Sequence, residues 1–272
     1  MLVVSLIINV KCDRILLHLL LLKSITMSLR VEQIQAYCER YFVPEAFLME
    51  ILEDQKVLPM IRGKASEYNA YLYLRNNLDS MIWDVQKLNL NAQNDMNDED
   101  VSITHRRTGI RLKMEVKNAT RGSFRDGTKG KGKSGIPYFT VKCHKSRSNM
   151  KKFDTTNDRY LIGEFDIVMS NTSNALYEGG SIDETLRIIQ KPQLVASLKE
   201  FYHCKTDIDL ERNAYNDWRF AIPAEISEDG ISIPRSPRVL LTEDPKWFSI
   251  SSLSDKMQRI VNEKWEQRHY RR

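Results

Sequence analysis

Residues 100–117 read Asp100-Val-Ser-Ile-Thr-His-Arg-Arg-Thr-Gly-Ile-Arg-Leu-Lys-Met-Glu-Val-Lys117. Two short runs rich in β-branched and apolar residues flank Arg107-Thr-Gly109, a turn signal, so the stretch reads as a β-hairpin. Side chains alternate along a strand, so Glu115 and Lys117 share one face while Met114 and Val116 take the opposite, buried one. The turn folds the strand that begins at Asp100 back against the strand that ends in Glu115 and Lys117. Two carboxylates and an ammonium thereby converge. Asp84, Asp95, Asp98 and Glu99 compete for the first acidic position, and the alternation of Val101 and Ile103 with Asp100 and Ser102 favours Asp100.

Those three groups suit phosphodiester hydrolysis. Carboxylate oxygens are hard ligands for magnesium, an ion that keeps several waters and contacts substrate phosphates. Such a metal neutralises phosphoryl charge and makes water a nucleophile near neutral pH. An adjacent lysine orients that water or stabilises the transition state. Acid-x-lysine also occurs at Asp54-Gln-Lys56 and Asp244-Pro-Lys246. The first follows a helix and the second sits at a proline-marked turn, and neither has a partner acid on a neighbouring strand. The plainer reading of Glu115-Val-Lys117 is an exposed strand carrying a salt-bridged pair.

The stretch resembles the catalytic core of the PD-(D/E)xK nucleases, type II restriction endonucleases in particular. Asp100 matches the first acid of that motif, Glu115 the second and Lys117 the lysine; Glu99 stands where the motif's proline would be. The resemblance covers roughly residues 63–170. It implies that Asp100, Glu115 and Lys117 are catalytic and that Asp100 and Glu115 bind Mg2+, with Mn2+ substituting. Glu67, in Gly63-Lys-Ala-Ser-Glu-Tyr-Asn-Ala-Tyr-Leu-Tyr-Leu74, looks like the helical glutamate that such enzymes carry, and is expected to join the catalytic and metal-binding set. The resemblance further implies a homodimer acting on palindromic double-stranded DNA and a 5′-phosphate product.

Charge supports a polyanionic partner. The chain has 272 residues and a formal net charge of +5. Between Arg106 and Arg159, 16 Lys/Arg face 4 Asp/Glu, a local balance of +12, which leaves −7 on the remainder. A basic block on an otherwise acidic chain points to nucleic acid, with a merely solvated loop as the bland alternative. Residues 121–135, RGSFRDGTKGKGKSG, are too glycine-rich for a helix or strand and read as a mobile basic loop. Its Arg121, Arg125, Lys129, Lys131 and Lys133 are expected on phosphates, and release of counterions would drive that binding. Lys145, Arg147 and Asn149, beyond the strand that begins at Tyr138, have side chains common in phosphate and base contacts. Asp166, in an apolar setting, reads as a buried hydrogen-bonded carboxylate, with a metal role as the lesser reading.

Around this centre the periodicities predict helices at 29–42, from Pro44 to Leu52, and at 65–78. Strands are expected at 83–90, 100–104, 110–118, 137–143, 160–169 and from Trp218 to Ile226. Residues 182–204 read as one or two helices broken near Pro192, and 253–268 as a closing helix. The whole is an α/β fold: a restriction-endonuclease-like central mixed sheet flanked by helices, with an N-terminal helical segment and a C-terminal extension. The expected boundaries are 27–62 for the helical region, 63–204 for the nuclease core and 205–272 for an extension packed on it.

Residues 1–26 hold two apolar runs broken by Lys11, Asp13 and Arg14, each short of a membrane-spanning length. They read as an upstream extension before a start at Met27, and no stable membrane association is expected. Cys12, Cys38, Cys143 and Cys204 form no CxxC pair, which fits a reduced, cytoplasmic protein. No Walker A sequence, GxGxxG, HNH pattern, zinc cluster or nucleophile elbow appears. The sequence therefore points to a Mg2+-dependent endodeoxyribonuclease of restriction type. The alternatives are a repair or junction-resolving nuclease, and a non-catalytic DNA-binding protein.

Overall fold

A computed structural model describes residues 31–87, 99–127, 135–144, 158–178, 187–242 and 244–270. The chain divides into two units, Met1–Arg62 and Gly63–Arg272. In the first, helix α1 covers 31–41, a 3-10 turn covers Glu45–Phe47 and helix α2 covers Leu48–Glu53. Phe42, at a φ of 56°, ends α1, and the Val43 N–H reaches back to the Cys38 carbonyl at 2.8 Å.

The second unit is built on a mixed five-stranded sheet. Its strands are β1 (Trp83–Gln86), β2 (Val101–His105), β3 (Ile110–Val116), β5 (Ile167–Asn171) and β8 (Trp218–Ala221), side by side in that order. β3 and β5 are parallel and every other neighbouring pair is antiparallel. The expected hairpin is present. His105 pairs with Ile110, and Gly109, at a φ of 67°, closes the turn by donating its N–H to the His105 carbonyl at 2.8 Å. A positive φ is what glycine accepts without steric cost.

One face of the sheet buries Ile110, Leu112, Met114, Ile167 and Met169. Helix α3 (Leu58–Asn77) covers it with Ala70 and Leu74, and the C-terminal helix with Leu253, Met257, Ile260 and Val261. These positions recur at helical spacing, one stripe per helix. Val168 and Ala221 point to the opposite face, into a second core with Leu194 and Leu198 of α4 (Pro192–Phe201) and Leu210 and Ala214 of α5 (Asp207–Asn216). Thr206 caps α5, its hydroxyl accepting the Asp209 N–H at 3.0 Å, which satisfies one orphan donor of the first turn.

Several elements depart from expectation. β4 (Tyr138–Thr140) is not in the central sheet; it pairs with β9 (Arg238–Leu240) in a separate ribbon, and β6 (Tyr177–Glu178) pairs with β7 (Arg187–Ile188) in another. Its alternating Phe139, Val141 and Cys143 are fully buried, so the pattern revealed a buried face without revealing the partner. The strand expected at 160–169 starts at Ile167, because Leu161 to Glu164 form a turn in which the Glu164 N–H bonds the Leu161 carbonyl. Pro192 begins α4 instead of breaking a helix, as suits a residue without an N–H. The helix expected at 65–78 starts earlier, at Leu58, and takes in Gly63. Only Trp218–Ala221 of the run to Ile226 is strand, and Pro223–Ile226 is one helical turn. Residues 205–272 do more than extend the core: they supply edge strand β8 and the closing helix α6 (Leu253–Tyr270). Among the described residues, no helix is long and apolar enough to cross a membrane.

Candidate active site

β2 and β3 fix the geometry. Val101 pairs with Met114, and extending that antiparallel register by one residue puts Asp100 opposite Glu115. Asp100 is further held by its side chain, whose Oδ2 accepts the Val116 N–H at 2.8 Å. The carboxylate thus sits across the last residues of β3. Glu115 and Lys117 leave β3 on the face opposite Met114 and Val116, as the alternation requires. The Lys117 N–H extends the parallel ladder to the Met169 carbonyl at 2.8 Å, which keeps the backbone extended up to the lysine.

The Lys117 ammonium is hydrogen-bonded to Glu115 Oε1. It also donates to the Tyr160 hydroxyl at 2.8 Å, and that hydroxyl lies 3.3 Å from Glu115 Oε1, closing a triangle. Tyr160 stacks edge-on against Phe165 with centroids 5.4 Å apart. Glu115 and Lys117 are nearly buried, with side chains 10% and 17% exposed.

Burial pushes the Asp100 carboxyl up to about 7, with the neighbouring Glu115 and Glu67 carboxylates adding to the rise. The Val116 hydrogen bond and Lys117 oppose it without cancelling it. Burial also works against the Lys117 ammonium, but Glu115 and Tyr160 outweigh it and raise the lysine well above its ordinary value. Burial and Glu115 push the Tyr160 hydroxyl up to about 12. At neutral pH Lys117 is therefore an ammonium and Tyr160 a neutral phenol.

Glu67 comes to the same end of the sheet from α3, but other cations hold it. Its carboxylate meets the Lys87 ammonium at 2.6 Å and that of Lys64 at 2.9 Å. Lys87 also donates to the Asp100 backbone carbonyl at 2.9 Å. Of the rival acids, Glu99 is engaged with Arg111 and Asp84 with Arg106 at 3.1 Å, while Asp95 and Asp98 lie outside the described residues. Asp166 accepts the Lys113 N–H at 2.8 Å and pairs with Lys264 at 2.6 Å. It is a hydrogen-bonded carboxylate tying β3 to α6.

No protein-family model matches the chain, and no curated protein sequence or solved structure matches it either.

Of the residues expected on DNA, Arg121 and Arg125 are exposed. The Arg125 guanidinium turns back on its own segment, donating to the Gly122 and Phe124 carbonyls at 2.8 and 2.7 Å. Residues 121–127 are also not a free loop, because Phe124 is fully buried and Arg125 bridges to Tyr138. Lys129, Lys131, Lys133, Lys145, Arg147 and Asn149 lie outside the described residues. Two site residues carried no signal in the sequence. Lys87 is an isolated lysine after a strand, and Tyr160 reads as one apolar residue among several. Surface cavities of about 770 and 760 Å3 are lined by neither Asp100, Glu115 nor Lys117.

Proposed function

We propose that this chain is a divalent-metal-dependent endodeoxyribonuclease of the PD-(D/E)xK kind, and that it acts as a restriction endonuclease. The observation that carries the reading is the Asp100 carboxylate bonded to the Val116 N–H, one residue from Glu115 and beside the Lys117–Tyr160 pair. A chance acid-x-lysine triplet has no reason to meet a second carboxylate across a strand pair.

The donors suit a hard cation. Asp100 and Glu115 both offer carboxylate oxygens, and the burial and neighbouring carboxylates that raise Asp100 are what a divalent cation would offset. Among the described residues, no three acidic, histidine or cysteine side chains form a ready-made cage. The Asp100 and Glu115 pair suits Mg2+, which is held by one or two carboxylates and otherwise by water and phosphate. When bound, the metal would offset phosphoryl charge and activate water for attack; Mn2+ would serve in its place.

The chain's own groups do the positioning. Asp100 and Glu115 present their oxygens from a rigid strand pair. Lys117, held as a cation, stabilises negative charge developing at the phosphate and does not serve as a base. Tyr160 fixes the direction of the lysine. Exposed Arg121 and the basic block that follows supply the electrostatic attraction to a duplex. A homodimer with its two-fold axis on a palindromic site completes the proposal.

The test is digestion of unmethylated phage DNA with Mg2+. Discrete fragments, abolished by EDTA, support a sequence-specific nuclease. Cutting confined to branched or damaged DNA would favour repair or junction resolution. The salt-bridged Glu115–Lys117 pair is also what a non-catalytic DNA-binding protein would keep, and that reading predicts binding without cleavage.

A further inference from the structure

The Lys87 ammonium is an unusual feature beside the site. Its side chain is only 9% exposed, and it lies between Glu67 Oε2 at 2.6 Å and the Asp100 carbonyl oxygen at 2.9 Å. The Tyr68 ring, with its centroid 5.6 Å away, lies alongside. A buried ammonium is costly unless oxygens surround it, and here both partners belong to residues next to the proposed metal position. Lys64 also reaches Glu67, but its side chain is 71% exposed, so solvent screens that contact.

We propose that Lys87 is a built-in cation that occupies the position a second divalent metal would take, between Glu67 and Asp100, and so restricts this nuclease to one metal ion. The inference rests on the metal-dependent reading above. A carboxylate and a carbonyl oxygen converging on one positive centre form a hard-oxygen environment of the kind that magnesium or manganese accepts. With the ammonium there, Glu67 is neutralised and withdrawn from the metal set, which leaves Asp100 and Glu115 as ligands. Lys87 also fixes the Asp100 backbone from one side while the Val116 N–H fixes its carboxylate from the other. It is a positioning residue, acting through the Asp100 backbone that it holds.

The experiment counts Mn2+ bound to the purified full-length chain without DNA, by electron paramagnetic resonance and calorimetry. The wild type is expected to bind one ion per chain. Lys87→Met, which removes the charge and keeps most of the volume, is expected to bind two, as Glu67 is released. Glu67→Gln in the wild-type background is expected to leave the single ion in place with affinity changed less than about threefold, since Glu67 is not a ligand. That arm keeps the proposal falsifiable if Lys87→Met does not fold. Two ions on the wild type, one ion on folded Lys87→Met, or loss of the ion in Glu67→Gln each overturns the role given to Lys87 while leaving the nuclease reading intact. No Mn2+ on the wild type overturns both.

Discussion

The Asp100 carboxylate accepts the backbone N–H of Val116 at 2.8 Å. The acid that opens one strand is thus locked to the end of the next, between Glu115 and Lys117. Asparagine offers the same acceptor oxygen without the charge. Asp100→Asn is expected to fold normally, keep DNA binding, and lose cleavage by about 100-fold or more, because a metal-binding oxygen is gone. Wild-type turnover by this variant would move the first acid elsewhere.

The same carboxyl makes stability depend on pH. Folded Asp100 holds its proton up to about 7, against an ordinary value of 3.8. Between those values the folded state binds more protons than the unfolded one, so stability is fully present below about pH 4 and is lost as pH rises through about 7. Without divalent ions, Asp100→Asn should therefore melt at a higher temperature than the wild type at pH 8 and show little difference at pH 4.5. Identical melting temperatures at both pH values would mean that burial and the neighbouring carboxylates do not raise Asp100.

Tyr160→Phe removes the hydroxyl that receives the Lys117 ammonium and keeps the ring packed on Phe165. Losing one such bond is worth about 1 kcal/mol. The expected result is a fall of about fivefold in kcat with KM unchanged. A loss as large as that of Lys117→Ala would make the phenol a direct participant.

Asp166 ties the Lys113 backbone to Lys264. Asp166→Ala leaves the Lys113 N–H without that acceptor and should destabilise the fold by about 1–3 kcal/mol in urea denaturation. Cleavage at a permissive temperature should be unaffected. A selective loss of metal binding would instead assign Asp166 to the site.

Gly127 has a φ of 73°, and an added Cβ would lie 2.2 Å from the Ile136 carbonyl oxygen. Gly127→Ala combines backbone strain with a backbone clash and should cost about 2 kcal/mol or more. Equilibrium denaturation measures it, and a neutral result would mean that residues 127 and 136 are not so close.

The hairpin and the Asp100–Glu115 pairing were legible because both follow from local rules: a glycine turn, two-residue alternation and the register that the turn imposes. The helices that end at Asn77 and Tyr270 were legible from helical spacing, but the buried face of the first was not: Tyr68 and Leu72, which mark the spacing, are exposed, while Ala70 and Leu74 meet the sheet. Partner choice was not. Phe139, Val141 and Cys143 show the alternation of a core strand whichever strand they pair with, and only the folded chain shows that Val239 faces Phe139. Lys87 and Tyr160 were hidden for a related reason. Each meets the site through contacts that are distant in sequence, 13 residues from Lys87 to Asp100 and 43 from Lys117 to Tyr160, and neither spacing leaves a pattern.

Asp100, Glu115 and Lys117 are proposed to form a metal-dependent site for cutting DNA. The most direct test of that proposal is Mg2+-dependent digestion of unmethylated phage DNA by the wild type, Glu115→Ala and Lys117→Ala, with binding to the same DNA measured in parallel. Discrete fragments are expected from the wild type, none after EDTA, and both variants are expected to retain binding and lose cleavage. Intact DNA in every lane, with equal binding by all three proteins, would contradict it and leave a DNA-binding protein without catalysis.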